Sequence, residues 1–317
     1  MKIALLLVGF FILIKGADFF VDGASSLAKR FNIPAFIVGL TICALGTSAP
    51  ELAVSITAAT SGSNSLAIGN VLGSNFFNLM VVLGVCAMIN PIPVTKTLLR
   101  RDYPVSIAAM TLLSVFLMSD ADVSRVEAGI LFSCLIGYIV WTIIDTKKHP
   151  EEAGVEEEEE DAFVAWKCAL WIIGGAIAIV LGGDLVVESA KYLGNSIGMS
   201  EKLIGFTICA IGTSLPELVT SYTASKKGQN DMAMGNVIGS NIFNILCILG
   251  ISGMITPIAI GDANLNATLI DCGINMGVCI LAYIFCITDK KVERWEGGVL
   301  VSIYLAYMVY NIVKDLF

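Results

Sequence analysis

Long apolar runs fill most of the chain, and short polar stretches interrupt them at regular intervals. A helix rises about 1.5 Å per residue and a bilayer's hydrocarbon core is about 30 Å thick, so about 20 apolar residues suffice to cross it. On that measure the pattern predicts ten spans. The first half has five, at residues 3–24, 34–60, 65–89, 103–119 and 125–145. The second half has another five, at 163–190, 202–224, 231–255, 267–288 and 296–314. Between the halves lies a polar stretch, 146–161, that ends in five consecutive glutamates and Asp161.

Within this pattern one segment occurs twice. Residues 41–52 and 207–218 are identical at ten of twelve positions, at an offset of 166. The offset holds from Gly16, matched by Gly182, to Pro91, matched by Pro257. The opening run Ile3–Ile14 follows Lys2 as in a secretory leader, but its twin deep inside the chain marks it as a span. Five crossings per half leave the second half starting on the opposite side of the membrane. The expected fold is therefore an all-α polytopic membrane protein of ten transmembrane helices. It is built from two inverted five-helix repeats, 1–145 and 162–317, with 146–161 as an acidic linker. Inverted repeats of this kind place a substrate site at their interface near the membrane midplane.

Composition narrows the class. The chain is 56% hydrophobic and only 15% charged, against about 25% charge in a soluble domain. Its net charge of −8 comes largely from the linker, which reads as solvated chain, and no nucleic-acid partner is implied. Nine cysteines are scattered through apolar runs without a CxxC pair, and they read as small buried residues. With one histidine, His149, a soft-metal site is not expected. Positive residues fix the orientation. Lys29, Arg30, Lys96, Arg100, Arg101, Lys147, Lys148, Lys226, Lys227, Lys290, Lys291 and Arg294 all fall in one set of alternate loops. The positive-inside rule puts that set and the linker in the cytoplasm, and both termini outside.

The duplicated segments carry the candidate chemistry. Each ends in Gly-Thr-Ser-x-Pro-Glu, which sets Glu51 and Glu217 inside apolar spans. A charge at that depth is costly and marks a functional site by default. Pro50 and Pro216 each remove a backbone donor, so a break or kink with freed carbonyls is expected there. Thr47, Ser48 and Glu51 then cluster on one face, as do Thr213, Ser214 and Glu217. All are hard oxygen donors, suited to Na⁺, Ca²⁺ or Mg²⁺. A capping box for a restarting helix accounts for the same Ser-x-x-Glu spacing, although a neutral Gln would serve it equally. A second duplicated motif is Gly-Asn-Val-x-Gly-Ser-Asn-x-Phe-Asn at 69–78 and 235–244. It aligns Asn70, Ser74 and Asn78 as one polar stripe, and Asn236, Ser240 and Asn244 as another, facing the glutamates. Lys15, Asp18 and Asp22 in the first span read as a structural pairing.

On these motifs the chain resembles the sodium/calcium exchanger family, within the wider cation/calcium exchanger superfamily, and in particular its compact prokaryotic members. The resemblance covers nearly the whole chain. It implies four cation sites in a diamond at mid-membrane. The side-chain ligands would be Thr47, Ser48, Glu51, Ser74 and Asn78 with their twins Thr213, Ser214, Glu217, Ser240 and Asn244, joined by the carbonyls of Ala44 and Ala210. It also implies alternating access by the first and sixth spans sliding over eight core helices. One departure stands out: potassium-dependent relatives carry aspartate where this chain has Asn244.

The expected function is a Na⁺/Ca²⁺ antiporter of the cell membrane, independent of K⁺. Na⁺ and Ca²⁺ are its substrates and the lipid bilayer its surroundings, with no cofactor and no obligate protein partner. A Ca²⁺/H⁺ exchanger is the alternative, because buried carboxylates can carry protons. An intramembrane acid/base enzyme is remote, since the two glutamates sit in near-identical settings and acid and base roles need different ones.

Overall fold

The computed structural model describes residues 2–31, 33–62, 64–148, 165–196 and 210–316. The first repeat contains α1 (Lys2–Arg30), the bent pair α2 (Ala35–Thr47) and α3 (Ala49–Thr60), α4 (64–89), α5 (98–120) and α6 (Arg125–Lys148). The second contains α7 (Ala165–Ser196), α8 (Ala210–Thr213), α9 (Leu215–Lys226), α10 (230–255), α11 (Asp262–Thr288) and α12 (Arg294–Leu316). Among the described residues seven helices are long and apolar enough to cross a membrane, and the bent pair α2–α3 makes an eighth span. The 210–226 stretch and α12 complete the second repeat. The linker from residue 149 onward, and the seventh span before Ala210, lie outside the described residues.

Four two-residue strands pair in a way that displays the inverted symmetry. Ile92–Pro93, between α4 and α5, pairs antiparallel with Lys291–Val292, between α11 and α12. Asp122–Val123, between α5 and α6, pairs with Ile258–Ala259, between α10 and α11. Each pair joins one repeat to the other, and the two pairs exchange when the repeats are exchanged. The turns match as well. Gly62 and Gly228 hold φ of 79° and 77° at twin bends, and Ala121 and Lys290 hold φ of 54° and 53° just before twin strands. Loops that pair must lie on the same side of the membrane, and these pairings agree with the alternation expected from the sequence.

Burial sorts the helices into a centre and a periphery. The spanning windows of α4 and α10 are 72% and 83% buried, whereas those of α1 and α7 are each 28% buried. The exposed faces of α1 and α7 carry Leu7, Phe11, Leu170 and Ile173, apolar surface of the kind a bilayer covers. Small residues bring α1 and α7 together: a Cβ at Gly182 would lie 2.6 Å from the backbone nitrogen of Leu13. Gly239 of α10 does the same against α2, where a Cβ would meet the Leu40 carbonyl oxygen at 2.6 Å. Helices approach this closely in membranes where a side chain is missing.

Two expectations are corrected. Cys134 is exposed on α6, while the other described cysteines are buried; all of them are free. Arg101, counted among the loop charges, is only 1% exposed. The helix begins earlier than the hydropathy suggests and carries Arg101 into the protein, where Asp102 sits at 2.8 Å and Asp145 of α6 at 3.0 Å. Tyr138 donates its hydroxyl to Asp102 at 2.6 Å. This charged knot fastens the start of α5 to the end of α6.

Candidate functional site

The site is built where the two broken helices meet α4 and α10. The axes of α2 and α3 differ by 47° across the break. Ser48 leaves helical geometry at φ −84° and ψ 9°, and Pro50 falls in the first turn of α3, where its missing N–H costs no bond. Ser214 repeats this at φ −95° and ψ 7°, with Pro216 in the first turn of α9. Glu51 and Glu217 therefore stand in the first turns of α3 and α9, the helix ends that favour negative charge. Both are fully buried, at 0% exposure.

The serines do not close a capping box. Neither makes a side-chain cap bond to its own helix. Instead Ser48 donates to Glu217 Oε1 at 3.0 Å, and Ser214 donates to Glu51 Oε1 at 3.3 Å. The sequence grouped Ser48 with Glu51 and Ser214 with Glu217. The fold crosses them, because inverted repeats bring the two breaks face to face. Ser74 adds a long contact to Glu51 Oε1 at 3.5 Å.

The threonines are less alike. Thr47 donates back to the Cys43 carbonyl at 3.0 Å and also approaches Asn236 Oδ1 at 3.3 Å. Thr213 Oγ1 has no protein partner. The Ala44 carbonyl accepts the Ser48 backbone N–H at 3.0 Å and a longer contact from the Thr47 hydroxyl at 3.4 Å. Ala210 opens α8 one helical turn before Ser214.

The two polar stripes face the breaks. Asn70 donates to the Glu51 backbone carbonyl at 3.2 Å and to Ser55 at 3.1 Å. Its twin Asn236 donates to Ser221 at 2.9 Å. These bonds support the backbone behind the glutamates. Both central helices widen into a π-helical turn at the stripe, over Asn78–Val82 in α4 and Asn244–Leu249 in α10. Such turns cluster at functional sites. Nothing in residue spacing signalled them.

Six buried oxygens at this place have no hydrogen-bond partner in the protein: Glu51 Oε2, Glu217 Oε2, Asn78 Oδ1, Asn244 Oδ1, Thr213 Oγ1 and Ser240 Oγ. A buried polar atom left unpaired costs about 1–3 kcal/mol, and more when charged. Four of them form twin pairs across the two repeats, Glu51 with Glu217 and Asn78 with Asn244, and so many together require a shared reason. The donor set is two carboxylates, two amide carbonyls and hydroxyls, all hard oxygens that suit alkali and alkaline-earth cations. Among the described residues no group of three His, Cys, Asp or Glu side chains is arranged to hold a metal ion.

Sequence reasoning missed Asn75 and Asn241. Each sits one position beyond its stripe serine, which suggested a different helix face. In the structure each reaches the opposite repeat, with Asn75 Nδ2 donating to the Asn241 carbonyl at 3.2 Å. Their appearance in both Gly-Ser-Asn motifs was the available signal. Away from the centre, Lys227 at the end of α9 lies 2.7 Å from Asp22 Oδ1 and 3.0 Å from the Asp18 carbonyl, which ties α1 to α9. Lys15 pairs with Asp18 at 3.2 Å, as its spacing implied.

Known proteins resemble this chain over nearly its whole length. The family model for the sodium/calcium exchanger protein matches residues 1–144 and 167–313. The CaxA protein of Alkalimonas amylolytica is 37% identical over 308 residues, which is 95% of each chain. The sodium/calcium exchanger MaX1 of Methanosarcina acetivorans is 32% identical over 96% of this chain and 97% of its own. A solved structure of the sodium-calcium exchanger NCX_Mj, soaked with Na⁺ and Sr²⁺, superimposes with a TM-score of 0.83. It is 30% identical and the match covers 97% of this chain and 98% of that one.

Proposed function

The chain belongs to the sodium/calcium exchanger family, and on that premise we propose that it is a secondary antiporter exchanging Na⁺ for Ca²⁺ across the membrane by alternating access. The observation that carries this reading is the cage of six unpartnered buried oxygens around Glu51 and Glu217. Two carboxylates neutralise one Ca²⁺, and the amide and hydroxyl oxygens complete a shell that Na⁺ can use in turn. Asn78, Ser74, Thr47 and Ser48 serve with Glu51. Asn244, Ser240, Thr213 and Ser214 serve with Glu217. The carbonyls of Ala44 and Ala210 add backbone oxygens.

The packing supports a division of labour. The α1–α7 pair is peripheral and joined to each other by small residues, while α4 and α10 are the buried centre that holds the stripes. Movement of the pair over that centre would expose the cage to one side at a time. The distribution of Lys and Arg supports cytoplasmic placement of the 146–161 linker, with both termini outside.

The test is uptake of radiolabelled Ca²⁺ into proteoliposomes under imposed Na⁺, K⁺ or pH gradients. Uptake driven by an outward Na⁺ gradient, and indifferent to K⁺, is the expected result. Uptake driven by a pH gradient with no need for Na⁺ would replace the reading with Ca²⁺/H⁺ exchange.

A further inference from the structure

Four asparagines where α4 and α10 cross form a fully buried network of amide hydrogen bonds, a reciprocal central pair with one further amide attached on each side. Asn75 Nδ2 donates to the Asn241 backbone carbonyl at 3.2 Å, and Asn241 Nδ2 donates to the Asn75 backbone carbonyl at 3.4 Å. Asn244 Nδ2 donates to Asn75 Oδ1 at 2.9 Å, and Asn78 Nδ2 donates to Asn241 Oδ1 at 3.2 Å. All four residues are at most 2% exposed.

The polarity of this network is set by chemistry. A backbone carbonyl can only accept, so the side-chain atom of Asn75 that faces it must be the NH₂ group. The other atom of that amide, Oδ1, then faces Asn244 and can only accept, so Asn244 must present its NH₂ group there. The same reasoning runs from the Asn75 carbonyl through Asn241 to Asn78. One atom of each outer amide remains, Asn78 Oδ1 and Asn244 Oδ1, and neither has a protein partner. We propose that Asn75 and Asn241 are positioning residues of the transport site: across the repeat interface, each locks the amide of the other repeat's asparagine so that its carbonyl oxygen, not its NH₂ group, is turned to the cation. This rests on the cation-site reading given above.

An unlocked amide can rotate half a turn about its last bond and present NH₂, which repels a cation. The effect is specific to an amide and to one partner. Asn75 acts on Asn244, and Asn241 acts on Asn78. A carboxylate has no wrong face, so a site that carries one does not need the lock.

The experiment is a set of double-mutant cycles read as the Ca²⁺ concentration for half-maximal uptake in proteoliposomes, with monodispersity in detergent checked for each variant. In the wild-type background Asn75→Ala raises that concentration about tenfold, the cost of an unpaired buried donor. In the Asn244→Asp background the same change has no effect or lowers it. In the Asn78→Asp background it again raises it about tenfold. Asn241→Ala gives the mirror-image pattern, coupled to Asn78 and not to Asn244. If Asn75→Ala fails to fold, Asn75→Ser, which keeps a smaller acceptor, is taken through the same cycle. An equal loss in all three backgrounds overturns the positioning role, because it marks Asn75 as a packing residue only. Glu51→Gln, measured alongside, separates the two readings. Normal uptake by that variant removes the cation-site assignment itself. Loss of uptake by Glu51→Gln together with additive cycles removes only the role of Asn75 and Asn241.

Discussion

The hydroxyl of Ser48 lies 3.0 Å from Glu217 Oε1, in a bond that joins positions 169 apart in sequence and from opposite repeats. Its counterpart joins Ser214 to Glu51 at 3.3 Å. Each glutamate is thus held by a serine of the other repeat, which keeps one carboxylate oxygen anchored and the other, Oε2, unpartnered. A movement that separates the two breaks would loosen both carboxylates at once.

In the proposed site the glutamates supply the charge that balances Ca²⁺. Glu51→Gln and Glu217→Gln should each abolish Ca²⁺ uptake in proteoliposomes while the protein remains folded in detergent. Ser48→Ala should be milder. Loss of one charge-assisted hydrogen bond costs on the order of 1.5–3 kcal/mol, which corresponds to a rise of roughly tenfold or more in the Ca²⁺ needed. Uptake near the wild-type level by either glutamine variant would refute the assignment.

Acidification should inhibit exchange. Two ionised carboxylates are needed to hold a dication, and a proton on either removes half of the balancing charge. Protons and Ca²⁺ then compete, so the Ca²⁺ concentration for half-maximal uptake rises as pH falls and the maximal rate is recovered at high Ca²⁺. Kinetics across pH check this. A maximal rate that falls with pH at saturating Ca²⁺ would contradict simple competition.

Potassium should have no effect. In the proposed site Asn78 and Asn244 are both neutral and offer only a carbonyl oxygen, so its charge would come from Glu51 and Glu217 alone. Asn244→Asp adds a charge beside both and also sets a carboxylate oxygen against Asn75 Oδ1, where the amide had donated at 2.9 Å. Altered ion selectivity or slower turnover, in a folded protein, is expected. Na⁺-driven Ca²⁺ flux with and without K⁺, at clamped voltage, measures it, and a wild-type requirement for K⁺ would contradict this account of the site's charge.

Arg101 should matter for stability and not for ion selectivity. It is 1% exposed, between Asp102 at 2.8 Å and Asp145 at 3.0 Å. Arg101→Met leaves Asp102 buried without its cation, and breaking a buried pair in this way typically costs about 3–5 kcal/mol. A lowered unfolding temperature in detergent, with an unchanged Na⁺ and Ca²⁺ dependence in the surviving fraction, is the expected outcome. An unfolding temperature equal to wild type would show that the knot contributes little.

The sequence alone determined the spans, the duplication, the helix breaks and the residue types at the site. These depend on contiguous chain. Transfer into a bilayer is a property of a stretch of about 20 residues. A proline inside an apolar span removes a backbone donor whatever its tertiary surroundings, and an odd number of crossings inverts a repeat. Glu51, Glu217, Ser74, Asn78, Ser240 and Asn244 are therefore legible in the chain itself as candidate site residues. Tertiary structure decided which of them bond to which. Ser48 crossed to Glu217 instead of joining Glu51 because the two breaks pack face to face about the interface. Asn75 and Asn241 meet each other and the stripe asparagines because α4 and α10 cross there, and their amide bonds span 163–169 positions of chain. Arg101 looked like a solvated loop charge until α6 brought Asp145 and Tyr138 beside it and Asp102. A polar side chain's partner is set by where distant segments meet, and local spacing along one helix does not contain that information.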